Sequence, residues 1–463
     1  MAASSEASKC TLQEAQKLLN SAEKTFVDQN PNSKAQHELA SEVLPGGNTR
    51  SILHTDPFPI CMERGEGNKL VDADGHGYLD LVGEMTAGLY GHTNPIIRDT
   101  IISTVSKTGL NLGATTRTES LFAEAICHRF TSIEQLRFCN SGTEANLHAL
   151  SIARGVAGKS KIIVFKGAYH GGVLTFAHGV AENNVDKDDW IIGKYNDVEG
   201  THKLISENKG IAAAVLVEGM QGAGGCIPGT AEFLHTIQNE TRANGMIFIL
   251  DEVVTSRLAP GGLQSVIRNP YDGAPLKPDM TTLGKWIAGG MTIGAFGGRK
   301  DLLAAYDPRP ASDSSKRKVQ ISHSGTFNNN TLAMNVGLAA LERVFTPEAC
   351  IELNNNGDWF RQGLKERCQG TKMTVTGIGA VCNIHFTSGV DKAGIASVDD
   401  LATESNGVEP ILKDLFWYYA IRHGYWIARR GMLSLILGTS KADLQGFLDV
   451  VEGFVNEHRD LLK

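Results

Sequence analysis

The chain has 463 residues, of which 41% are hydrophobic and 21% charged, with a formal net charge of -7. That composition is ordinary for a soluble globular protein, and the length allows a large buried core with satellites. A mildly acidic chain has no overall basic field for nucleic acid, and no run approaches the roughly 18 apolar residues of a membrane span.

Residues 11–44 read as helical, with Leu12, Ala15, Leu18, Leu19 and Ala22 spaced for one apolar face. Pro45-Gly46-Gly47 ends that segment. Lys69-Leu70-Val71-Asp72 and Gly77-Tyr78-Leu79-Asp80 then flank an Asp74-Gly75 turn and predict a hairpin. Asp72 and Asp74 have the spacing of a calcium loop, but Gly83 stands where that loop needs its bidentate glutamate. From about 110 to 345, apolar runs at 162–165, 213–217, 246–250 and 280–283 alternate with segments of helical period. Such alternation predicts a mostly parallel sheet wrapped by helices. Beyond 345 come a helix at about 347–366, strands at 372–376 and 380–386, and a last helix at about 440–460. The expected layout is an N-terminal helical segment (1–45), a small α/β domain built from both chain ends (46–109 and 346–463), and a large central domain (110–345). Lys316-Arg317-Lys318 lies in a Ser/Asp/Pro-rich stretch, 307–320, read as a solvated loop.

Eight cysteines (Cys10, Cys61, Cys127, Cys139, Cys226, Cys350, Cys368 and Cys382) are scattered without a CxxC pair or a Cys/His cluster. Reduced thiols are expected, with neither a disulfide frame nor a metal site. Residues 1–10 carry no apolar stretch of the signal-peptide kind, so a cytoplasmic location is expected. Nucleotide-phosphate signatures are incomplete. Gly222-Ala223-Gly224 meets Ile227 and Gly377-Ile378-Gly379 meets Cys382, while Gly284-Lys285 has neither the upstream glycine nor the following Ser/Thr of a P-loop.

Three segments carry chemistry. In Phe138-Cys139-Asn140-Ser141-Gly142-Thr143-Glu144-Ala145-Asn146, an apolar strand ends in a Ser-Gly-Thr turn followed by helix formers. That geometry aims backbone N–H groups and hydroxyls at one spot with a helix dipole behind them, which suits a phosphate; a simple N-cap fits the same residues. In Ile247-Phe248-Ile249-Leu250-Asp251-Glu252-Val253, the strand stops at a carboxylate, at the sheet edge where open α/β sheets bind ligands. A carboxylate there keeps a pyridine nitrogen protonated, and Val253 points the same way as Asp251. In Thr281-Thr282-Leu283-Gly284-Lys285-Trp286, a lysine ends another apolar strand beside Ala288-Gly289-Gly290-Met291. Burial makes such a lysine a nucleophile and base able to form an imine with a carbonyl cofactor.

Asn140-Ser141-Gly142-Thr143-Glu144-Ala145, Ala168-Tyr169-His170-Gly171, Asp251-Glu252-Val253, Gly284-Lys285 and Gly325-Thr326-Phe327 together resemble the motifs of class III, fold-type I pyridoxal-phosphate aminotransferases. Similarity runs from about residue 35 to the C-terminus, within the glutamate-1-semialdehyde aminomutase branch. It is nearest to the β-amino-acid (β-phenylalanine) aminotransferases, through Gly46-Gly47-Asn48-Thr49-Arg50-Ser51, Gly289-Gly290-Met291 and His323-Ser324-Gly325-Thr326-Phe327-Asn328-Asn329-Asn330. The resemblance implies pyridoxal 5′-phosphate as cofactor, held by Lys285 as a Schiff base. It implies that Ser141, Gly142 and Thr143 cradle the phosphate, that Tyr169 and Val253 cover the two ring faces, and that Asp251 pairs with the ring nitrogen. Glu218 matches a position where the family keeps an acidic residue near the cofactor, and Thr326 reaches the phosphate of a neighbouring subunit, so a homodimer is implied.

Carboxylate recognition falls to arginine. Arg50 matches the arginine that binds substrate carboxylate in the β-phenylalanine enzymes. Arg430, in Ile427-Ala428-Arg429-Arg430-Gly431, matches a second arginine that swings in for a dicarboxylate. The chain departs from the family pattern here, with two adjacent arginines, and Arg430 is chosen because Gly431 follows it. The implied reaction moves an amino group from a β-amino acid or ω-amine to 2-oxoglutarate or pyruvate in two half-reactions through Lys285. Glutamate-1-semialdehyde aminomutase, racemase and non-catalytic cofactor-binding readings stay open. Phe327-Asn328-Asn329-Asn330 fits the aminotransferases better than the aminomutases.

Overall fold

A computed structural model describes residues 2–309, 319–388, 394–405 and 407–463. The basic cluster at 316–318 and most of the 307–320 stretch lie outside the described residues. The N-terminal helical stretch is two helices, Ala2–Gln29 and Pro31–Ser41, rather than one. The break falls at Pro31, which lacks an N–H for the preceding turn and so starts a new helix. Gly46 and Gly47, at φ 72° and 73°, then turn the chain out of helix.

Seven strands form the central sheet, in the spatial order Gln135–Cys139, Gly294–Gly298, Met280–Gly284, Ile247–Asp251, Ala212–Glu218, Lys161–Phe165, Trp190–Gly193. Only Gly294–Gly298 runs against its neighbours. Alternate residues of the apolar strands face opposite layers. Ile162, Val164, Leu216 and Ile249 pack with Ala149, Leu150 and Ala153 of the helix Gly142–Ala157. Ile163, Phe165, Val215, Val217, Phe248 and Leu250 pack with Phe233, Leu234 and Ile237 of Ala231–Ala243. Helices on both faces explain why these strands read as continuous apolar runs instead of alternating ones. Each large aliphatic or aromatic side chain so buried contributes roughly 1.5–3 kcal/mol.

Both ends of the chain share a second sheet. Met62–Glu66, Lys69–Asp72 and Gly77–Asp80 pair antiparallel, and Tyr425–Trp426 adds in parallel to Gly77–Asp80. Asp72 staples the hairpin turn by accepting from the N–H groups of Asp74 and His76 and from the Tyr78 hydroxyl at 2.6 Å. Met373–Ile378, Val381–Phe386 and Met432–Ser434 form a third, antiparallel sheet, packed with helices Pro347–Cys368, Glu409–Arg422 and Lys441–Glu457. The fold is therefore α/β, a large mixed, mostly parallel sheet with a smaller α/β part from both chain ends. Among the described residues no helix is long and apolar enough to cross a membrane, and no cluster of His, Cys, Asp or Glu could hold a metal ion.

Candidate active site

Parallel register sets Asp251 beside Glu218 on one neighbouring strand and beside Thr282 on the other. Lys285 comes directly after Leu283 and Gly284, the last residues of the strand Met280–Gly284, and so stands at the same carboxyl edge. It adopts φ 56°, a left-handed conformation unusual for a side-chain-bearing residue and of the kind that collects at functional sites. Burial pushes its ammonium below the ordinary lysine value; the Asp251 charge opposes that shift and the Arg430 charge adds to it. Uncharged amine is thereby more available than on a surface lysine.

Asp251 is 4% exposed and fully engaged. Its Oδ2 accepts from His170 Nδ1 at 2.7 Å and Asn146 Nδ2 at 2.8 Å, and its Oδ1 accepts from the Val253 N–H at 3.0 Å. Asn146 in turn accepts from the Thr282 hydroxyl at 2.7 Å and donates to the His170 carbonyl. His170 Nε2 is buried without a partner. The neighbouring Glu252 points away, where it accepts from the N–H groups of Leu263 and Gln264 and serves the fold alone.

The turn after Gln135–Cys139 caps the helix Gly142–Ala157. Ser141 Oγ accepts from the Glu144 N–H at 3.1 Å, and the Glu144 carboxylate returns to the Asn140 N–H at 2.8 Å. A reciprocal cap of this kind fixes the helix N-terminus and leaves its first N–H groups, those of Gly142 and Thr143, aimed outward. A Cβ on Gly142 would stand 2.9 Å from both methyls of Val253, and one on Gly284 would stand 3.3 Å from the Gly142 nitrogen. The phosphate-type turn, the strand carrying Asp251 and the strand carrying Lys285 therefore meet at separations that leave little room for a Cβ. Thr143 Oγ1 accepts from the Gly172 N–H, which joins the Tyr169–Gly171 segment to the same turn. Tyr169 is 44% exposed, and its N–H donates to Glu218 Oε1 at 3.0 Å.

Burial raises the Glu218 carboxyl to about 7, with the Asp251 charge adding to the rise and His170 opposing it. A carboxyl raised on folding binds its proton more tightly in the native state, so its contribution is complete at low pH and is lost as pH rises through about 7. Glu218→Gln is expected to remove that loss. The thermal midpoint of the variant should fall less than the native one between pH 5 and pH 8, which calorimetry across that range checks; parallel profiles would contradict it.

A cavity of about 1200 Å³ adjoins the lysine, with Arg50, Glu84, Met85, Gly290, Trp426 and Arg430 on its wall. Lys285 is not on that wall, but Arg430 and Glu84 both act on its charge. Arg50 is ion-paired with Glu84. Among the described residues, Arg430 Nη2 meets only thioether sulfurs, Met432 Sδ at 3.0 Å and Met85 Sδ at 3.9 Å, and its Nε is buried without a partner. The adjacent Arg429 also lines the cavity, but its guanidinium is held in an ion pair with Asp414 at 2.7 Å and over the rings of Trp417 and Tyr418. Gly431, which follows them, sits at φ 92°, where a Cβ would meet the Ile384 carbonyl at 2.1 Å. Thr326 is exposed and is not joined to Ser141 or Thr143 by any hydrogen bond described; nearby Asn328 accepts from Asn140 Nδ2 at 2.8 Å.

Sequence reasoning passed over Asn146, His170, Thr282 and Glu84. Asn146 had a signal, since it follows Gly142 by four residues and so shares its helix face.

The family model for class III aminotransferases matches residues 52–431. An uncharacterised aminotransferase of Schizosaccharomyces pombe is 46% identical over 95% of this chain and 96% of its own. The β-phenylalanine transaminase of Variovorax paradoxus is 42% identical over 96% of this chain and 97% of its own. A solved β-phenylalanine aminotransferase from that organism superposes with a TM-score of 0.90, at 41% identity, covering 97% of this chain and 99% of the other. A glutamate-1-semialdehyde 2,1-aminomutase of Chloroherpeton thalassium is 33% identical over 77% of this chain and 83% of its own.

Proposed function

The chain belongs to the class III aminotransferases, and from that membership we propose that it moves an amino group from a β-amino acid or ω-amine to an oxo acid, 2-oxoglutarate or pyruvate. The observation that carries this reading is the convergence of Lys285, Asp251 and the Ser141 cap at one sheet edge, beside a cavity whose wall includes Arg50 and Arg430. The donor class rests on likeness to the enzyme named for β-phenylalanine.

Enzymes of this class use pyridoxal phosphate, whose protonated ring, once bound, withdraws electrons from the donor's amine-bearing carbon. The residues present suit that group. The N–H groups of Gly142 and Thr143 with the Ser141 and Thr143 hydroxyls suit the phosphate, Asp251 suits the ring nitrogen, and Val253 and the exposed Tyr169 ring suit the two ring faces. Glu218 supports Tyr169 through its backbone N–H. Lys285 Nζ anchors the cofactor at rest. When released it takes the proton from the donor carbon in the first half-reaction, and it gives one to the matching carbon of the acceptor in the second.

Arg50 is assigned to the donor carboxylate and Arg430 to the acceptor's. Both ends of the Arg50–Glu84 pair are about half exposed, so a substrate carboxylate can exchange with Glu84 at little cost. Arg50→Ala is expected to raise KM for β-phenylalanine by roughly 10–100-fold with kcat within about threefold, the pattern of lost ground-state binding. Initial-rate kinetics at fixed oxo acid would show it, and an unchanged KM would remove Arg50 from the assignment.

We also assign the protein to a homodimer in which Thr326 serves the partner's phosphate. In support, Phe327 is 57% exposed, and its segment joins the one carrying exposed Leu110 and Leu112 through the Thr331 hydroxyl to the Gly109 carbonyl at 2.8 Å. An exposed apolar patch of that kind marks an interaction face. The whole reading is tested by offering β-phenylalanine and glutamate-1-semialdehyde to the holoenzyme, each with pyruvate and with 2-oxoglutarate. Acceptor-dependent loss of β-phenylalanine is expected. Conversion of the semialdehyde alone, without any acceptor, would replace the transferase with a mutase.

A further inference from the structure

Positive charge is buried at a place that none of the chemistry above uses. Arg257 is fully buried, yet its guanidinium reaches only neutral oxygens: the Thr86 carbonyl at 3.2 Å, Ser434 Oγ at 3.0 Å and the Leu435 carbonyl. Arg129 donates to the carbonyls of Pro260, at 2.8 Å, and Phe345. Its guanidinium carbon lies 5.3 Å from the Trp286 ring centroid and 5.2 Å from that of Phe345. The groups acting on Arg257 are Cys350 and Tyr90, neither of them a carboxylate. The same two lead at Arg129, which the Cys350 thiol also meets as a neutral partner, and among the described residues the carboxylate acting there is the exposed Glu348.

Among the described residues, three hydrogen-bond donors in this cluster have no acceptor, and all three atoms are buried: Arg257 Nε, Arg129 Nη2 and Tyr90 Oη. Trp286 links the two arginines, with the Arg129 guanidinium 5.3 Å from its ring centroid and its Nε1 bonded at 2.9 Å to Ser256, the residue before Arg257, and both arginines act on the Tyr90 hydroxyl and the Cys350 thiol. Burial pushes the Arg257 guanidinium down to about 10, as expected for a cation left without a counter-charge. A water molecule would satisfy the donors and leave the charge uncompensated; an anion does both.

We infer that a single monovalent anion of halide size is held between Arg257 Nε, Arg129 Nη2 and Tyr90 Oη. The cavity beside Lys285 is not lined by any of these three side chains, and donors this enclosed suit a one-atom ion better than a phosphate or a carboxylate. The ion would join three parts of the chain, the 86–90 segment, the end of the helix Arg117–Arg129 and the Thr255–Arg257 turn, the last of which Arg257 itself ties to the strand Met432–Ser434. Trp286, the residue after Lys285, borders this cluster, with Arg129 against its ring and its Nε1 donating to Ser256 Oγ at 2.9 Å. The ion's role is to lock the lysine-bearing turn against the smaller sheets.

The test uses holoenzyme freed of halide in sodium gluconate. Chloride added at constant ionic strength is expected to raise the thermal midpoint by about 3 °C and then saturate, as mass action at one site requires. Tyr90→Phe should lose most of that rise. Crystals grown in sodium bromide should show an anomalous peak at the three donors. A midpoint indifferent to chloride, or ordered density there without anomalous signal, would mean water alone and overturn the inference. Should Tyr90→Phe fail to fold, the bromide map of the unaltered holoenzyme decides the matter.

Discussion

Lys285→Ala is expected to lower kcat by at least about 10⁴-fold, because it removes both the covalent anchor and the proton carrier; general base chemistry alone accounts for about 10²–10⁴. The loss should not come from unfolding. Lys285 Nζ makes no hydrogen bond among the described residues, and burial disfavours its charged form. Its removal therefore leaves the thermal midpoint unchanged or slightly raised. Alanine also keeps the turn, since the left-handed position is held by the strand before it and by Trp286, which is buried and bonded to Ser256. Two readouts separate a chemical role from a structural one. Borohydride treatment followed by intact-mass measurement should add the cofactor's mass to the native chain and nothing to the variant. Ethylamine in the assay should restore part of the turnover by standing in for the missing amine. Normal turnover in the variant would end the reading of Lys285 and, with it, the proposed transferase.

What the sequence makes legible here is the set of elements that end abruptly in a polar residue. Strands closing on Asp251, on Gly284-Lys285 and on the Ser141 turn announce themselves because a short apolar run meets a group that must stay near a sheet edge. The strand Gly294–Gly298 does not announce itself, since every residue in it except Phe296 is glycine or alanine and reads as loop. It is a strand because its neighbours press on it: a Cβ on Gly294 would fall 2.0 Å from the Ser141 carbonyl, and one on Gly297 would fall 2.6 Å from Ile133. The polar set around Asp251 is hidden for another reason. Asn146, His170 and Thr282 stand 105, 81 and 31 positions from it along the chain; the parallel register brings in Thr282, and the packing of the helix Gly142–Ala157 and the segment Tyr169–Gly171 brings in the other two. Glu84 is hidden by backbone, because Gly83, Glu84, Met85 and Thr86 all take positive φ, and that left-handed turn is what carries the carboxylate to Arg50. Asp80 holds the turn by accepting from the N–H groups of Val82 and Gly83. No periodicity encodes a reversal of that kind.

Asp251→Asn is expected to lower kcat by roughly 10²–10³-fold, the rate equivalent of about 3–4 kcal/mol for a buried charge taken from its partner. The substitution is nearly isosteric but not silent to its surroundings. One carboxylate oxygen accepts from the Val253 N–H and the other from both His170 and Asn146. Whichever way an amide is turned, its NH₂ faces a donor. His170 can answer by moving its proton to Nε2, which is buried without a partner, but the Asn146 NH₂ and the Val253 N–H cannot. The resulting mismatch costs about 1–3 kcal/mol of stability and should lower the thermal midpoint by a few degrees. A merely structural role would end there. If Asp251 also keeps the ring nitrogen of the cofactor protonated, its loss lowers that nitrogen's proton affinity, so the protonated fraction falls at neutral pH and recovers on acidification. The kcat of the variant should therefore rise as pH falls, in a range where the native enzyme does not gain, with KM for the donor little changed. A variant within about threefold of native kcat, or one whose deficit is the same at every pH, would reduce Asp251 to a residue that positions Asn146 and His170 and nothing more.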